Sequence, residues 1–516
     1  MNLFRALATV SSFTLLSRIT GLARDMLISR IFGASAATDA FNVAFRLPNL
    51  LRRMFAEGAF QQAFVPMLAD VRSGGDAGRT ESFAGHVASA LFWALLAVSV
   101  AGVIGAPLLV WVIASGLARD PSAFELATVM TRWMFPYILF MSLVALIAGV
   151  LNTYRRFAVP AFTPVLLNVS FIACALWLAP RLAQPIMALA FAVLIGGIAQ
   201  LALQWAAVRR LGVRLRIGTP RAAFGDADVR RVIGLMLPAL FAVSVAQLSI
   251  IINTNIASHL VTGSVTWLAF ADRLMEFPTA LLGVALGTVL LPSLSAAFAE
   301  NRRDDTMRLL DWGLRLVFLL ALPAALGLGL LAEGIVSVLF EGREFTTNDV
   351  HQTSVAVVGY AVGLIGLVAV KILAPGFYAQ KDVRTPVKIA VTVLIATQLA
   401  NLVLVPLLAH AGLALSVSLG ACANAGALFI GLKRRGVYRP QPGWDRFLAR
   451  LALALVALGA ALIVARHLVD WTALQSVPWQ RAGILALVIV GGAGVYVAAL
   501  AALGFRVRDF RPERHL

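Results

Sequence analysis

The chain has 516 residues, of which 60% are hydrophobic and 13% charged, against roughly 45–50% and 25% in soluble domains. A soluble globular enzyme is excluded. So is a β-barrel, because apolar runs such as 451–464 and 483–503 are continuous rather than alternating. The formal charge of +18, from 43 Lys and Arg against 25 Asp and Glu, takes its meaning from where the charges lie.

In chain order, the N-terminal stretch resembles a secretion signal only briefly. Ser11, Ser12, Thr14, Ser17 and Arg18 interrupt it and no small-x-small cleavage site follows, so it reads as a retained first helix. Apolar windows then give about fourteen spans, at 7–33, 37–69, 85–115, 126–151, 160–180, 184–207, 232–260, 266–298, 312–339, 352–377, 386–408, 411–432, 447–465 and 482–504. Runs of this length suit a hydrocarbon core about 30 Å thick. The fold class is therefore all-α and polytopic. An even count puts both termini on one side, which collects 27 basic residues in loops and ends against 5 on the other. The positive-inside rule makes that side cytoplasmic. The densest loop, Arg209 to Arg231, then faces the cytosol, and its charge reads as topology with some anionic-lipid contact rather than nucleic-acid binding. Cys174 and Cys422 each lie inside an apolar run and imply neither a disulfide framework nor a metal site.

Pro66 and Pro292 each follow a long span punctured by polar residues. Pro160 and Pro386 each follow a tyrosine and basic residues, Tyr154-Arg155-Arg156 in one case and Tyr378, Lys381 and Arg384 in the other. Both proline pairs are 226 residues apart. That offset is six spans long and predicts two six-helix lobes related by a pseudo-two-fold, 1–210 and 232–433, joined by the basic loop 211–231. Two additional helices in 434–505 and a cytoplasmic tail at 506–516 fall outside the repeat.

With Arg315, Lys388 and Arg450 set aside at span edges, nine basic residues fall within spans: Arg18, Arg24, Arg30, Arg46, Arg52, Arg53, Arg132, Arg273 and Lys371. Five clear carboxylates join them, Asp25, Asp39, Glu57, Asp272 and Glu276. An arginine at the membrane centre costs roughly 2.5–3.5 kcal/mol, so the set predicts a hydrated interior. Internal pairing, as of Arg273 with Glu276 one turn on, covers part of the charge, and the cationic surplus calls for an external anion. Asp39, Asn42, Arg46, Asn49, Arg53 and Glu57 recur every three or four residues and share one helical face, which Arg52 widens. Ser17, Gly21 and Arg24 share a face of the first span, with Arg18 beside it and the glycine permitting close approach or local bending. Ser244, Gln247, Thr254 and Ser258 form a neutral stripe in the seventh span, explained equally by a polar helix contact. Pro48, Pro136, Pro238, Pro278, Pro323 and Pro375 are candidate bends. Pro278, beside Asp272, Arg273 and Glu276, is the candidate for a moving one.

There is no Gly-x-x-x-x-Gly-Lys-Ser/Thr loop, no His-Glu-x-x-His, and the six histidines are scattered. The chain is expected to have no catalytic residue, no metal and no cofactor, and to draw on gradients such as the membrane potential.

The run from Ser11-Ser12 through Ser17-Arg18, Gly21 and Arg24-Asp25 continues into Thr38-Asp39-Ala40-Phe41, Phe45-Arg46-Leu47-Pro48-Asn49-Leu50-Leu51-Arg52-Arg53 and Ala56-Glu57-Gly58-Ala59-Phe60. With Asn152-Thr153, Phe157, Pro160-Ala161-Phe162, Ala271-Asp272-Arg273-Leu274-Met275-Glu276-Phe277-Pro278 and Leu373-Ala374-Pro375-Gly376-Phe377-Tyr378, it closely resembles the bacterial lipid II flippase family MurJ, also called MviN. That family belongs to the multidrug/oligosaccharidyl-lipid/polysaccharide exporter superfamily. The resemblance implies fourteen helices in the inner membrane and transport of lipid II, an undecaprenyl-diphosphate-linked peptidoglycan precursor, to the periplasmic leaflet by alternating access. It implies substrate-binding cavity arginines at Arg18, Arg24, Arg52 and Arg273. Ser17, Asp25, Asp39, Arg46, Arg53, Glu57, Asp272 and Glu276 are expected as supporting groups, and the last two spans are expected to line a groove for the lipid tail. A sodium site reported for some relatives has no complete counterpart. Asn253, Thr254, Asn255, Gln398, Asn401 and Asn424 are the available ligands, and no carboxylate in those spans completes a hard-cation cage. Partners are expected to be lipid II, membrane lipids, and cell-wall synthesis or division proteins. The alternatives are a flippase for another polyprenyl-diphosphate-linked glycan and a membrane scaffold for cell-wall synthesis.

Overall fold

The structure is a computed structural model that describes residues 3–53, 60–300, 302–471 and 473–506. Among them the chain is all-helical, as long apolar runs require: without water to bond, backbone N–H and C=O groups are satisfied within helices. The helices are α1 (Leu3–Phe32), α2 (Ala36–Leu51), α3 (Phe60–Ser73), α4 (Ala77–Ile104), α5 (Ala106–Ala114), α6 (Pro121–Met134), α7 (Tyr137–Thr153), α8 (Ala158–Ala173), α9 (Met187–Arg210) and α10 (Pro220–Gly225). There follow α11 (Ala227–Ser258), α12 (Ser264–Ala299), α13 (Arg303–Leu330), α14 (Ala332–Phe340), α15 (Thr347–Ala361), α16 (Leu364–Tyr378), α17 (Arg384–Leu408), α18 (His410–Arg434), α19 (Trp444–Leu468) and α20 (Pro478–Ala502).

Ten helical segments among the described residues are long and apolar enough to cross a membrane. They stand at the third to sixth and ninth to fourteenth expected spans. The other four positions are occupied by α1, by α2 with α3, by α11 and by α12, which are not among the ten. Several expected spans are jointed pairs. The span at 85–115 divides at Gly105, 126–151 at Phe135 and Pro136, 312–339 at Leu331, and 352–377 at Val362 and Gly363. Only one of these joints holds a candidate bend proline. The helices run on through Pro48, Pro238, Pro278, Pro323 and Pro375. At Gly105 the break is followed by Pro107 in the first turn of α5, where a missing N–H costs nothing.

The 226-residue offset recurs in the elements themselves. Displaced by it, α4 superimposes in sequence on α13 and α5 on α14 at both ends, and the last residue of α1, Phe32, falls on the last of α11, Ser258. The turns before α8 and α17 repeat in detail. Arg155 and Lys381 take left-handed φ values of 56° and 59°. The next amides, of Arg156 and Asp382, reach back to Leu151 O at 2.8 Å and Phe377 O at 3.1 Å. This six-to-one closure satisfies orphan carbonyls at a helix end. In the second turn the Thr385 hydroxyl and amide and the Arg435 guanidinium hold the Asp382 carboxyl well below the usual carboxylate range.

The chain packs as two compact units, Met1–Thr266 with Gly342–Glu344, and Trp267–Glu341 with Phe345–Leu516. In the first, Phe60, Phe64 and Phe83 stack at centroid distances of 5.0 and 5.8 Å, within a buried cluster that includes Leu146 and Ile147 of α7. In the second, Leu319 of α13 packs with Phe447, Leu451, Leu458 and Leu462 of α19 and Tyr496 of α20. Buried carboxylates hold both ends of this helix pair. Asp311 accepts Tyr438 Oη at 2.8 Å and Trp444 Nε1 at 2.7 Å, while Glu341 pairs with Arg481 at 2.7 Å, both side chains under 5% exposed. Removing one partner of such a buried pair costs about 3–5 kcal/mol.

Candidate functional site

The predicted polar face of α1 is built against a residue that periodicity alone does not single out. Asn168, the one amide side chain of α8, lies over Gly21, where an added Cβ would sit 3.5 Å from its Nδ2. From there Nδ2 donates to Ser17 O at 3.0 Å and to Thr20 Oγ1 at 3.1 Å, and Oδ1 accepts from Arg24 Nη1 at 3.1 Å. The small residue at 21 thus permits the close approach, and the amide spans two turns of α1. Arg24 turns its other edge to Asp25, with Nε at 2.9 Å and Nη2 at 2.7 Å from Oδ1. It also stands over the Phe171 ring at 5.2 Å. The guanidinium is buried, fixed by hydrogen bonds on both edges and by an aromatic face. Arg18, nearly two turns earlier, is exposed, and Ser17 is half-buried.

Along α2 the predicted stripe divides. At its start Asp39 is buried; it accepts Gly263 N at 2.7 Å, Thr266 N at 2.8 Å and Thr266 Oγ1 at 2.6 Å. Asn42 adds a bond to Thr266 Oγ1 at 3.1 Å. Asp39 therefore satisfies amides at the N-terminus of α12, where a negative charge is favoured. The sequence counts it among the carboxylates offsetting the arginines, yet among the described residues it makes no ion pair. Further along, Arg46, Arg52 and Arg53 are half-buried, and Arg52 holds Asn49 Oδ1 through Nε at 3.1 Å and Nη2 at 2.9 Å. Glu57 lies outside the described residues.

On α12, Arg273 meets Glu276 at 3.5 Å, the one-turn pairing expected from their spacing, with side chains 41% and 33% exposed. Asp272 is half-buried and Pro278 follows within an unbroken helix. The stripe on α11 is occupied by helix contacts in its last part. Ser258 Oγ accepts Gly116 N at 3.1 Å, and Thr254 Oγ1 bonds back to Ile250 O at 2.6 Å. A Cβ on Gly116 would stand 2.1 Å from Ser258 O, so only glycine fits that crossing. On α17 Asn401 is buried and bonds Gln398 at 3.0 Å and Ser416.

Asn168 and the capping role of Asp39 are what sequence reasoning missed. A lone amide in an apolar helix was the available signal for the first, since such a group must find a partner. The second depends on a segment more than 200 residues away and has no local signature.

The model of the family described as lipid II flippase MurJ matches residues 28–480. The chain belongs to the MurJ family. It is 52% identical to the lipid II flippase MurJ of Burkholderia cenocepacia over 512 residues, 99% of each chain. It is 39% identical to a probable lipid II flippase MurJ of Vibrio cholerae, covering 97% of this chain and 96% of the relative. Among solved structures, a lipid II flippase MurJ in an inward closed conformation matches with TM-score 0.77 at 23% identity, covering 95% of this chain and 99% of the other. An inward-facing multidrug resistance MATE transporter of the MOP superfamily matches with TM-score 0.69 at 13% identity, over 83% and 98%. At those identities the likeness establishes the fold alone, that of a multi-pass membrane protein.

Proposed function

We propose that the chain moves lipid II from the cytoplasmic to the periplasmic leaflet of the inner membrane by alternating access, with both termini cytoplasmic and without covalent chemistry or a cofactor. The observation that carries this reading is the full-length 52% identity to a lipid II flippase. The local geometry supports it. A diphosphate is a compact polyanion, and guanidinium forks bind its oxygens bidentately while replacing lost hydration. Arg18 and Arg273 offer exposed positive charge. Arg24 has five N–H donors, of which three are engaged by Asp25 and Asn168. The remaining two are offered to phosphate oxygens. Arg52 and the supporting groups Ser17, Arg46, Arg53, Glu57, Asp272 and Glu276 complete the proposed cavity, and Asp39 acts by capping α12. Lobes at 1–210 and 232–433 rock about the substrate, and the pair in 434–505 accompanies the polyprenyl tail. With a negative cytosol, outward movement of each negative charge gains about 2.3 kcal/mol per 100 mV.

The deciding experiment is a leaflet-resolved lipid II assay on intact cells depleted of their own flippase. Wild type restores periplasmic lipid II. Arg24→Ala reaches the membrane at wild-type level and restores none. Normal transport by that variant removes the role given to the α1 arginine, and failure of wild type itself removes the substrate assignment.

A further inference from the structure

We propose that the strap between α9 and α11 is a docking surface for the headgroups of anionic phospholipids in the cytoplasmic leaflet, separate from the arginines that receive the transported diphosphate. The proposal rests on the membrane orientation given above. Residues 213–218 run along α4, and the side chains of 213–216 alternate between buried and exposed. Val213 and Leu215 are buried in the cluster with Phe83 and Val87, whereas Arg214 and Arg216 are exposed. Alternation of this kind places residues i and i+2 on one side, about 6.6 Å apart along the chain.

The backbone that carries the two arginines is fixed. Arg214 N donates to Glu81 Oε1 at 3.3 Å, Gly218 N to Ser89 Oγ at 2.8 Å, and Trp93 Nε1 to Gly218 O at 2.9 Å. None of these bonds uses a guanidinium. Arg221 on α10 is also exposed. Among the described residues no carboxylate forms an ion pair with Arg214, Arg216 or Arg221; Glu81 holds the Arg214 amide instead. Beside these cations Ile217 and Phe224 remain 41% and 42% exposed. Guanidinium groups beside bare apolar side chains match the composition of a headgroup-level surface. A free phosphate or nucleotide would satisfy the charge and leave Ile217 and Phe224 wet. A phospholipid satisfies both.

The full-length protein is placed in phosphatidylcholine nanodiscs with and without phosphatidylglycerol, and the phosphatidylglycerol retained on it is read by native mass spectrometry. The triple variant R214Q/R216Q/R221Q is expected to lose retention, by about fivefold in affinity per guanidinium removed. I217S/F224S is expected to weaken it with the charge intact. A control with three exposed arginines changed elsewhere, R434Q/R446Q/R466Q, keeps wild-type retention. Equal loss in the strap and control variants, or no loss in the strap variant, overturns the proposal. Since the strap's backbone bonds survive these substitutions, unchanged helical circular dichroism identifies a folded variant. Orientation is tested separately by labelling Arg221→Cys with an impermeant maleimide in intact cells and in inverted vesicles. Labelling from the periplasm overturns the orientation and with it the leaflet named here, whereas cytosolic labelling with unaltered retention overturns the strap alone.

Discussion

Arg24 and Arg273 are the same side chain in two surroundings. Arg24 keeps 10% of its side chain exposed and is gripped along two edges by Asp25 and Asn168, while Arg273 keeps 41% exposed and meets Glu276 at 3.5 Å. The first is held by geometry, so its planar fork matters as much as its charge. The second keeps more of its surface exposed beside its one-turn neighbour Glu276, so its charge is expected to matter more than its fork. A lysine placed at each position separates the two cases. Lysine cannot bond Asp25 through two nitrogens and reach Asn168 at once, and the loss of one charged hydrogen bond is worth about 1.5–3 kcal/mol. Arg24→Lys is therefore expected to lower lipid II flipping by about tenfold or more, and Arg273→Lys by less than about threefold. The leaflet-resolved assay at matched membrane levels reads both. Equal effects at the two positions would erase the distinction.

The same comparison is sharpened by changing the grip and leaving the arginine in place. Asn168→Leu preserves bulk and removes the bond to Arg24 Nη1 together with those to Ser17 O and Thr20 Oγ1. It is expected to lower flipping about fivefold to tenfold. Because Arg24 keeps Asp25, the defect is partial, and the added Arg24→Lys change deepens it by less than the two single effects together, since both act on one network. Strict additivity in that double mutant would place Asn168 outside the arginine's support.

What was legible in the sequence follows from how far each feature reaches along the chain. The apolar runs and the Arg273/Glu276 pairing are local, and the helices carry them as read; the three-and-four spacing on α2 is also local, but its stripe divides between Asp39 and the arginines, and Glu57 lies outside the described residues. The 226-residue offset was visible in only four prolines, yet it governs whole helix boundaries and the two left-handed turns. Joints such as Gly105 and Gly363 were not legible. A span of continuous hydrophobicity looks the same whether it is straight or jointed, and most of the candidate bend prolines lie in unbroken helix. The fate of Asp39 was hidden for another reason. A carboxylate on a polar stripe resembles a counter-ion until the N-terminus of α12 is folded against it.

That difference gives a smaller test. If Asp39 is a cap, replacing it by Asn keeps an acceptor for one amide and loses the negative charge at the helix N-terminus, a cost of about 1 kcal/mol. Thermal unfolding of the purified protein in detergent is expected to shift down slightly, with Asp39→Ala lower still because buried amides then go unsatisfied. If Asp39 instead serves as a counter-charge for the arginines, Asn and Ala have equal effects on stability and the larger defect appears in transport.

The smallest expected effect compares the two repeats at their turns. Arg155 and Lys381 both hold φ near +60°, a conformation that places Cβ against the following carbonyl and that glycine adopts freely. Arg155→Gly and Lys381→Gly should each therefore relieve strain, offset by the greater freedom glycine gains in the unfolded chain. The net is a stabilisation of a few tenths to about 1 kcal/mol at each site. Equal sign and similar size are the point, because both turns close with the same six-to-one hydrogen bond onto Leu151 and Phe377. Their side-chain surroundings differ: Arg72 stands over Tyr154 at 4.0 Å in the first, and Arg435 pairs with Asp382 at 2.7 Å in the second. Matching shifts in unfolding temperature would mean that the repeated backbone sets the energy of the turn. Opposite shifts would mean that these unlike side chains do, and that the 226-residue echo is a relic of descent without a shared mechanical role.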